Sequence, residues 1–344
     1  MSSPLPVLHS TYTSCDALAH QPDAWSKGAL GLICFSSQSI TGNRLDSVKL
    51  PLMQVNMPVL SGNDTACEAW LSDAILKTGS REGLRYRYGD CLLFGVVELT
   101  EASFSASTSG TPLQQATEAA YKQILTLLND LDYPFIYRVW NYLADINGIS
   151  YGLERYRQFN SGRQDAFLVC GREVTGSLPA ACALGTEQGP LKIAFLAGRV
   201  KAAAIENPRQ ISAYQYPPEY GPRSPTFSRA NLLSLAGQEF LFLSGTASIV
   251  GHETVHRGDV IAQTREAMIN LQTLVTEANN LSKKNFELSD VLYRIYVRHA
   301  EDVLAIQNEM SRIASLPFKA IFLRADICRQ DLLVEIEATL DHPI

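Results

Sequence analysis

The sequence predicts an α/β protein of the α+β kind, built from two copies of one unit, each a mixed sheet with helices packed on one face. Three observations predict it. The chain has 344 residues, which at roughly 150 residues per domain allows about two domains. An order of helix, strand, helix, strand, strand occurs twice. The last strand alternates apolar and polar residues, as a strand does when only one of its faces is covered by helices. The composition fits a packed globular chain: 46% of residues are hydrophobic, 19% are charged, and Gly and Pro number 22 and 16.

The elements follow in order. Residues 115–128, QATEAAYKQILTLL, and 263–275, QTREAMINLQTLV, read as helices and share Gln, Glu and Ala at 115/263, 118/266 and 119/267. Ala120, Ile124 and Leu127, or Met268, Leu271 and Val275, recur at helical spacing and form a face that can cover a sheet. Each helix leads to a Tyr-Arg strand, YRVWNYL at 137–143 and YRIYVRH at 293–299, rich in β-branched and aromatic residues. A second helix follows at 154–168 and at 300–314. Paired strands close each unit, within LPAACALGTEQGPLKIAFLA (178–197) and LPFKAIFLRADICRQDLLVEIEATL (316–340). The expected division is therefore an N-terminal unit with an extra leading segment (1–204), an insert (205–236) and a C-terminal unit (237–344). The insert carries four prolines from Pro208 to Pro222, a fifth at Pro225 and several tyrosines, so it reads as an ordered loop rather than a flexible linker.

Charge and cysteine usage exclude several classes. With 29 basic and 35 acidic residues the net charge is −6, and no Lys/Arg block supplies the footprint that nucleic acid requires. Apolar runs such as ALGLICF (29–35) and EFLFLSG (239–245) are too short to span a bilayer. The N-terminal residues MSSPLPVLHSTYTS do not read as a secretory signal. The seven cysteines are odd in number, scattered and free of any C-x-x-C pair, which reads as reduced thiols rather than a disulfide framework or a zinc site. The expected compartment is the cytoplasm.

HETVH at 252–256 matches the H-E-x-x-H pattern of zinc peptidases, which needs both histidines on one face of a continuous helix. Here the motif lies between Gly251 and Gly258, after an apolar strand, so a loop or hairpin is expected and no metal is assigned.

The terminal strand LLVEIEATL (332–340) is more informative. Alternation puts Leu332, Val334, Ile336 and Ala338 on one face and Leu333, Glu335, Glu337 and Thr339 on the other. Helices cover the apolar face, so the carboxylates face a cleft. Aligning Ala197 with Ala338 sets Ala194 opposite Glu335, so only one copy keeps the carboxylate and one active site per chain is expected. Against an apolar wall, Glu335 would hold its proton near neutral pH and could serve as an acid. Arg and Tyr concentrate in two runs, Tyr151, Arg155, Tyr156, Arg157 and Arg163, and Tyr214, Tyr216, Tyr220, Arg223 and Arg229. Such a set suits a small di-acid, although at least half of it is expected to serve only in surface salt bridges.

The C-terminal copy, FLSGTASIVGHETVHRGDVIAQTREAMINLQTLVTEA (242–278) through VLYRIYVRHAEDVLAIQNEM to LVEIEA, resembles a RidA/YjgF subunit over about a hundred residues. RVWNYLADIN (138–147), ERYRQFNSGR (154–163), the YQYPPEYGP and FSRA stretches of the insert (214–230), SGTASIVGHE (244–253) and DICRQDLLVEIEA (326–338) together resemble the chorismatase family, from about residue 30 onward. That resemblance implies two RidA-like halves and cleavage of the enolpyruvyl ether of chorismate, with no metal or organic cofactor. It implies Glu335 as the catalytic acid/base and Tyr156, Arg163, Tyr216 and Arg229 as substrate-binding residues. Cys328, seven residues before Glu335, resembles the cysteine of members that release 3-hydroxybenzoate, in some cases with 4-hydroxybenzoate, and so implies a product-determining role. The expected partner is the small molecule chorismate, with no nucleic acid and no membrane, in a monomer or small homo-oligomer. Three alternatives stand beside this reading: a hydrolytic chorismatase yielding a dihydroxycyclohexadiene acid, a RidA-like imine/enamine deaminase, and a non-catalytic metabolite-binding protein.

Overall fold

The structure is a computed structural model that describes residues 8–343 apart from 39–49, 61, 63, 109, 236 and 315–317. The leading segment forms a sheet of its own from β1 (Leu8–Thr13), β2 (Ala29–Ser36), β3 (Leu52–Asn56) and β4 (Thr65–Ser72), in the order β1-β4-β2-β3. Two short helices, α1 (Cys15–Ala19) and α2 (Asp23–Gly28), join its first two strands.

The first repeated unit runs through β5 (Lys77–Arg81), β6 (Leu84–Tyr88), β7 (Leu92–Leu99), α3 (Pro112–Asp130), β8 (Phe135–Ala144), the small hairpin β9 (Ile149–Ser150) and β10 (Leu153–Glu154), α4 (Arg155–Val169), β11 (Ala180–Thr186) and β12 (Leu191–Gly198). The second runs through β13 (Ala203–Ile205), β14 (Ala230–Leu235), β15 (Gln238–Ala247), the hairpin β16 (Ile249–Val250) and β17 (Glu253–Thr254), α5 (Val260–Asn279), β18 (Leu292–Val297), α6 (Val303–Ala314), β19 (Lys319–Arg324), β20 (Asp326–Ile327) and β21 (Val334–Pro343). Within the stretch 205–236, residues 206–229 link β13 to β14, and 230–235 are β14 itself. The Leu-Pro pair at 316–317 lies outside the described residues.

The sheets are mixed, as the sequence predicts. β8 is parallel to β11 and antiparallel to β12, and β18 is parallel to β19 and antiparallel to β21. The first unit's sheet has the order β20-β11-β8-β12-β7-β6-β5 and the second's β13-β14-β15-β21-β18-β19. β20 belongs to the second unit by sequence but pairs with β11, Leu184 facing Ile327. The loop that follows it is thereby fixed between the units.

Helix starts are set by capping chemistry. Thr111 accepts a hydrogen bond from the Gln114 amide ahead of Pro112, and Asp259 from the Ala262 amide, each satisfying an otherwise orphan N–H. The faces expected from periodicity are the buried ones: Ala120, Ile124 and Leu127 pack on Val139, Ile193 and Phe195, and Met268, Leu271 and Val275 on Ile295 and Ile336. Between the sheets lies a third apolar layer that includes Trp70, Trp140, Tyr142, Ala194, Phe242 and Tyr296. This layer encloses the inward faces of β8, β11 and β21 and therefore determines the dielectric there.

One expectation is corrected. Cys34 and Cys67 are paired as a disulfide, where the sequence predicts reduced thiols. They face each other directly on the antiparallel pair β2 and β4, a register that a separation of 33 residues does not reveal. No helix among the described residues is long and apolar enough to cross a membrane.

Candidate active site

Strand register identifies what differs between the two units. In the second, Tyr296 of β18 faces Glu335 of β21 and Arg294 faces Glu337. In the first, Trp140 of β8 faces Ala194 of β12 and Arg138 faces Leu196. Arg138 and Arg294 occupy equivalent positions, so Ala194 and Leu196 stand where the second unit has Glu335 and Glu337. Both carboxylates are buried on the inward face.

A bulge shapes the ground opposite them. Leu243 of β15 pairs with Ala338 and Thr246 with Ile336, so Ser244 and Gly245 together oppose the single residue Glu337. Such a two-against-one insertion bends the strand and frees its backbone groups. The freed Leu243 carbonyl accepts from Arg138 Nη1 at 2.8 Å, and Ser244 Oγ donates to the Ser228 carbonyl at 2.6 Å. Gly245 then lies against Glu335: a Cβ there would overlap the Glu335 carboxyl and come within 3.2 Å of Cys182 Cβ. The absence of a side chain at this position is what leaves room for the carboxyl.

A cavity of about 200 Å³ opens in front of Glu335, lined by Tyr156, Tyr216, Tyr220, Phe227, Arg229, Gly245, Cys328, Arg329 and neighbouring residues. They come from several separate parts of the fold. Tyr156 stands in the first turn of α4. Tyr216 and Arg229 come from the 206–229 link, where Arg229 Nη2 donates to Tyr216 Oη at 2.8 Å and to the Ile211 carbonyl at 2.9 Å. Cys328 and Arg329 ride on the loop between β20 and β21. Arg298 fastens that loop by donating to the Leu332 carbonyl (2.7 Å) and the Arg329 carbonyl (2.9 Å) while pairing with Asp326 (2.7 Å).

The electrostatics favour a protonated acid. Burial, then the neighbouring charge of Glu337, raise Glu335 to about 8, against the weaker pull of Arg138 and Arg229. Glu337 goes the other way: burial would raise it, but Arg294 and Arg138 hold its carboxyl below the ordinary range. Cys328 Sγ donates to Glu335 Oε2 at 3.9 Å, and burial together with Glu335 pushes its thiol up to about 12, so it is a neutral S–H at pH 7. Burial raises Tyr156 well above the usual phenol, which leaves it a neutral donor.

Five of the six residues singled out from sequence line this one cavity. Arg163 does not. Its guanidinium is buried in the helix layer, donating to Asn160 Oδ1 at 2.9 Å and lying 5.0 Å from the centre of the Phe159 ring. Among the other cations of the two Arg/Tyr runs, Arg155, Arg157 and Arg223 pair with Glu101, Glu154 and Asp165. Arg163 and Arg229 make no ion pair among the described residues; the Glu206 carboxyl lies in the field of the Arg229 guanidinium and takes a hydrogen bond from the Arg229 backbone N–H. The sequence reading missed Arg329, whose guanidinium lies 4.4 Å from the centre of the Tyr220 ring and donates to the His252 carbonyl at 2.8 Å. Its place beside Cys328 was the available signal. It also missed Gly245, which only the bulge makes significant.

HETVH forms the hairpin that the sequence suggested. Ile249 pairs with Thr254 and Val250 with Glu253, Gly251 sits at φ 59°, and His252 Nδ1 lies 3.1 Å from Tyr220 Oη. The two histidines therefore do not share a helix face. His252 instead props the tyrosine on which Arg329 is stacked.

This arrangement can be set beside known proteins. The sequence is 36% identical over 303 residues to a 3-hydroxybenzoate synthase of Streptomyces hygroscopicus, covering 84% of this chain and 85% of the relative. It is 37% identical over 287 residues to a chorismatase of Streptomyces rapamycinicus, covering 81% and 83%. The chain belongs to the chorismatase family. The family model described as chorismatase FkbO/Hyg5-like, N-terminal, matches residues 68–197, from β4 to β12. A chorismatase crystal structure superposes with a TM-score of 0.84 at 30% identity, covering 98% of this chain and all of the other. The likeness to chorismatases thus extends through both units and includes the strand that carries Glu335.

Proposed function

We propose that this chorismatase cleaves the enolpyruvyl ether of chorismate to pyruvate and 3-hydroxybenzoate. The observation that carries the reading is one cavity lined by Glu335, whose carboxyl burial pushes up, together with Arg229 and Arg329, two guanidiniums that make no ion pair among the described residues. A substrate with two carboxylates supplies the missing anions, and a planar guanidinium binds a carboxylate through two parallel hydrogen bonds.

An enol ether is cleaved through protonation of its terminal methylene carbon. Glu335 gives its proton to that carbon and the adjacent carbon becomes an oxocarbenium ion, which the neighbouring ring hydroxyl oxygen attacks, its proton passing to the ether oxygen as the old ether bond to that carbon breaks. The bond between the ring and the attacking oxygen then breaks, pyruvate leaves with that oxygen, and the ring becomes aromatic by losing the proton of the carbon that keeps its hydroxyl, which returns to Glu335. Pyruvate and a hydroxybenzoate together account for every atom of chorismate, so this outcome consumes no water. Tyr156 and Tyr216 donate hydrogen bonds to the substrate, Arg229 and Arg329 anchor its carboxylates, and Arg163 supports Tyr156 from the helix layer. The partner is a small molecule, and the chain works as a monomer or small homo-oligomer.

The test is direct. Purified protein is incubated with chorismate, and pyruvate and aromatic acids are resolved by chromatography. Equimolar pyruvate and 3-hydroxybenzoate are expected. Absence of pyruvate overturns the reading, and a dihydroxycyclohexadiene acid as the main product would assign the chain to the hydrolytic branch instead.

A further inference from the structure

Glu335 has a second carboxylate beside it on the same face of β21, and a chain of buried charges surrounds that neighbour. Glu337 pairs with Arg138 of the first unit and, at 2.6 Å, with Arg294 of the second. Arg294 passes on to Glu68 of the leading sheet. Tyr296 Oη donates to Glu337 Oε1 at 3.1 Å, and Tyr142 Oη lies 2.9 Å from Tyr296 Oη. Each of the four charged residues is at most 3% exposed. Two arginines balance Glu68 and Glu337, and Glu335 stands outside the balance. The two Nη groups of Arg138 are spent on Glu337 and on the Leu243 carbonyl.

A buried network of this kind is a weak source of stability, because apolar residues of similar volume often do as well. At the equivalent place the first unit has Leu196, so the fold itself does not require a charge there. What the network does provide is a carboxylate that two guanidiniums keep ionised at a fixed place. Residues two apart on a strand are about 7 Å apart. At an effective dielectric near 20, a unit charge at that separation moves a titration by about 1 to 2 pH units.

We propose that Glu337, clamped by Arg138 and Arg294, is a positioning residue that governs the proton on Glu335. The proposal rests on the reading of Glu335 as the acid that cleaves chorismate. The groups facing Glu335 are Glu337 on its own strand, Arg138 on β8, Cys182 on β11, Arg229 ahead of β14, Cys328 on the preceding loop and Tyr156 on α4. Glu337 and Arg138 act in opposite senses, which supplies the test.

The Glu335 midpoint is measured in substrate-free protein by carbon NMR of labelled glutamate, with Glu335→Gln to assign the signal, and the pH profile of kcat/KM on chorismate is recorded beside it. Glu337→Gln is expected to lower the midpoint by about 1 to 2 units and to carry the alkaline limb of the rate profile down with it. Glu337→Asp should restore both. Arg138→Met leaves Glu337 paired with Arg294 and should move the midpoint upward, so it provides the test even where the first variant does not fold. Midpoints that stay in place, or that move in the same direction in both variants, overturn the proposal. Midpoints that move as expected without any matching change in the rate profile leave the coupling standing and refute the acid role of Glu335.

Discussion

β12 and β21 occupy the same place in the two units, each antiparallel to a Tyr-Arg strand, yet they do different work. β12 turns Ala194 and Leu196 inward, where both join the apolar layer between the sheets. β21 turns Glu335 and Glu337 inward at the same register. The comparison shows that the fold needs only small or apolar side chains there. The carboxylates are therefore present at a cost, and that cost is measurable. The folded state holds a proton on Glu335 up to about pH 8, whereas an ordinary glutamate releases it near 4.5. Between those values the folded chain binds the extra proton, so stability falls as pH rises, by about 1.4 kcal/mol per unit, and the penalty is complete above 8.

The largest effect expected from breaking this difference is that of Glu335→Gln. Loss of the acid should cut turnover of chorismate by about 10² to 10⁴ or more. The same variant should unfold at a higher temperature than the parent protein at pH 8, by an amount corresponding to a few kcal/mol, and at nearly the same temperature at pH 4. Turnover assays and thermal unfolding at the two pH values check both halves. A variant that keeps its activity, or one that is less stable at pH 8, would remove Glu335 from the role assigned to it.

A smaller effect is expected from the bulge. Only a glycine at 245 leaves the Glu335 carboxyl where it is, since a Cβ would occupy the same space. Gly245→Ala should leave the strand pairing intact, because the bulged residues already stand outside the ladder, and should displace the carboxyl. Misplacing a catalytic group by about 1 Å costs on the order of 10²-fold in rate, so kcat is expected to fall by about 10- to 100-fold with little change in thermal stability. Steady-state kinetics beside a melting curve would separate this outcome from general damage, which would lower both together.

The same comparison marks how far the sequence could be read. Period-3.6 and period-2 patterns reveal which face of an element is buried, so both copies of the unit, the covered faces of α3 and α5, and the opposition of Ala194 to Glu335 were legible. Contacts between distant segments leave no such pattern. Arg138 and Arg294 read as ordinary strand residues, and nothing local announces that both meet Glu337. The leading sheet, the Cys34–Cys67 pair and the crossing of β20 into the other unit depend on register between segments far apart in sequence. Arg163 and Arg229 looked alike in their runs of Arg and Tyr, but burial puts one in the helix layer and the other in the cavity wall. Charge type was legible, and the direction in which the guanidinium pointed was not.

The smallest effect belongs to Cys328, and it refines the comparison from the product side. Its thiol stays neutral up to about pH 12, which excludes a thiolate nucleophile at neutral pH and leaves two roles, a weak donor to Glu335 and a plug beside it. Removing Sγ in Cys328→Ala keeps the acid and both guanidiniums in place, so turnover should change by no more than a few-fold. It also frees a space next to a carboxyl that is on the scale of one water molecule, and a polar site of that size is one that water enters. Water at that position competes with the internal oxygen for the oxocarbenium carbon. The expected result is a shift from 3-hydroxybenzoate toward the hydrolysed dihydroxycyclohexadiene acid at similar pyruvate yield, read from the chromatographic ratio of the two acids. An unchanged ratio would reduce Cys328 to packing, and a collapse of pyruvate release would instead make its S–H part of the acid itself.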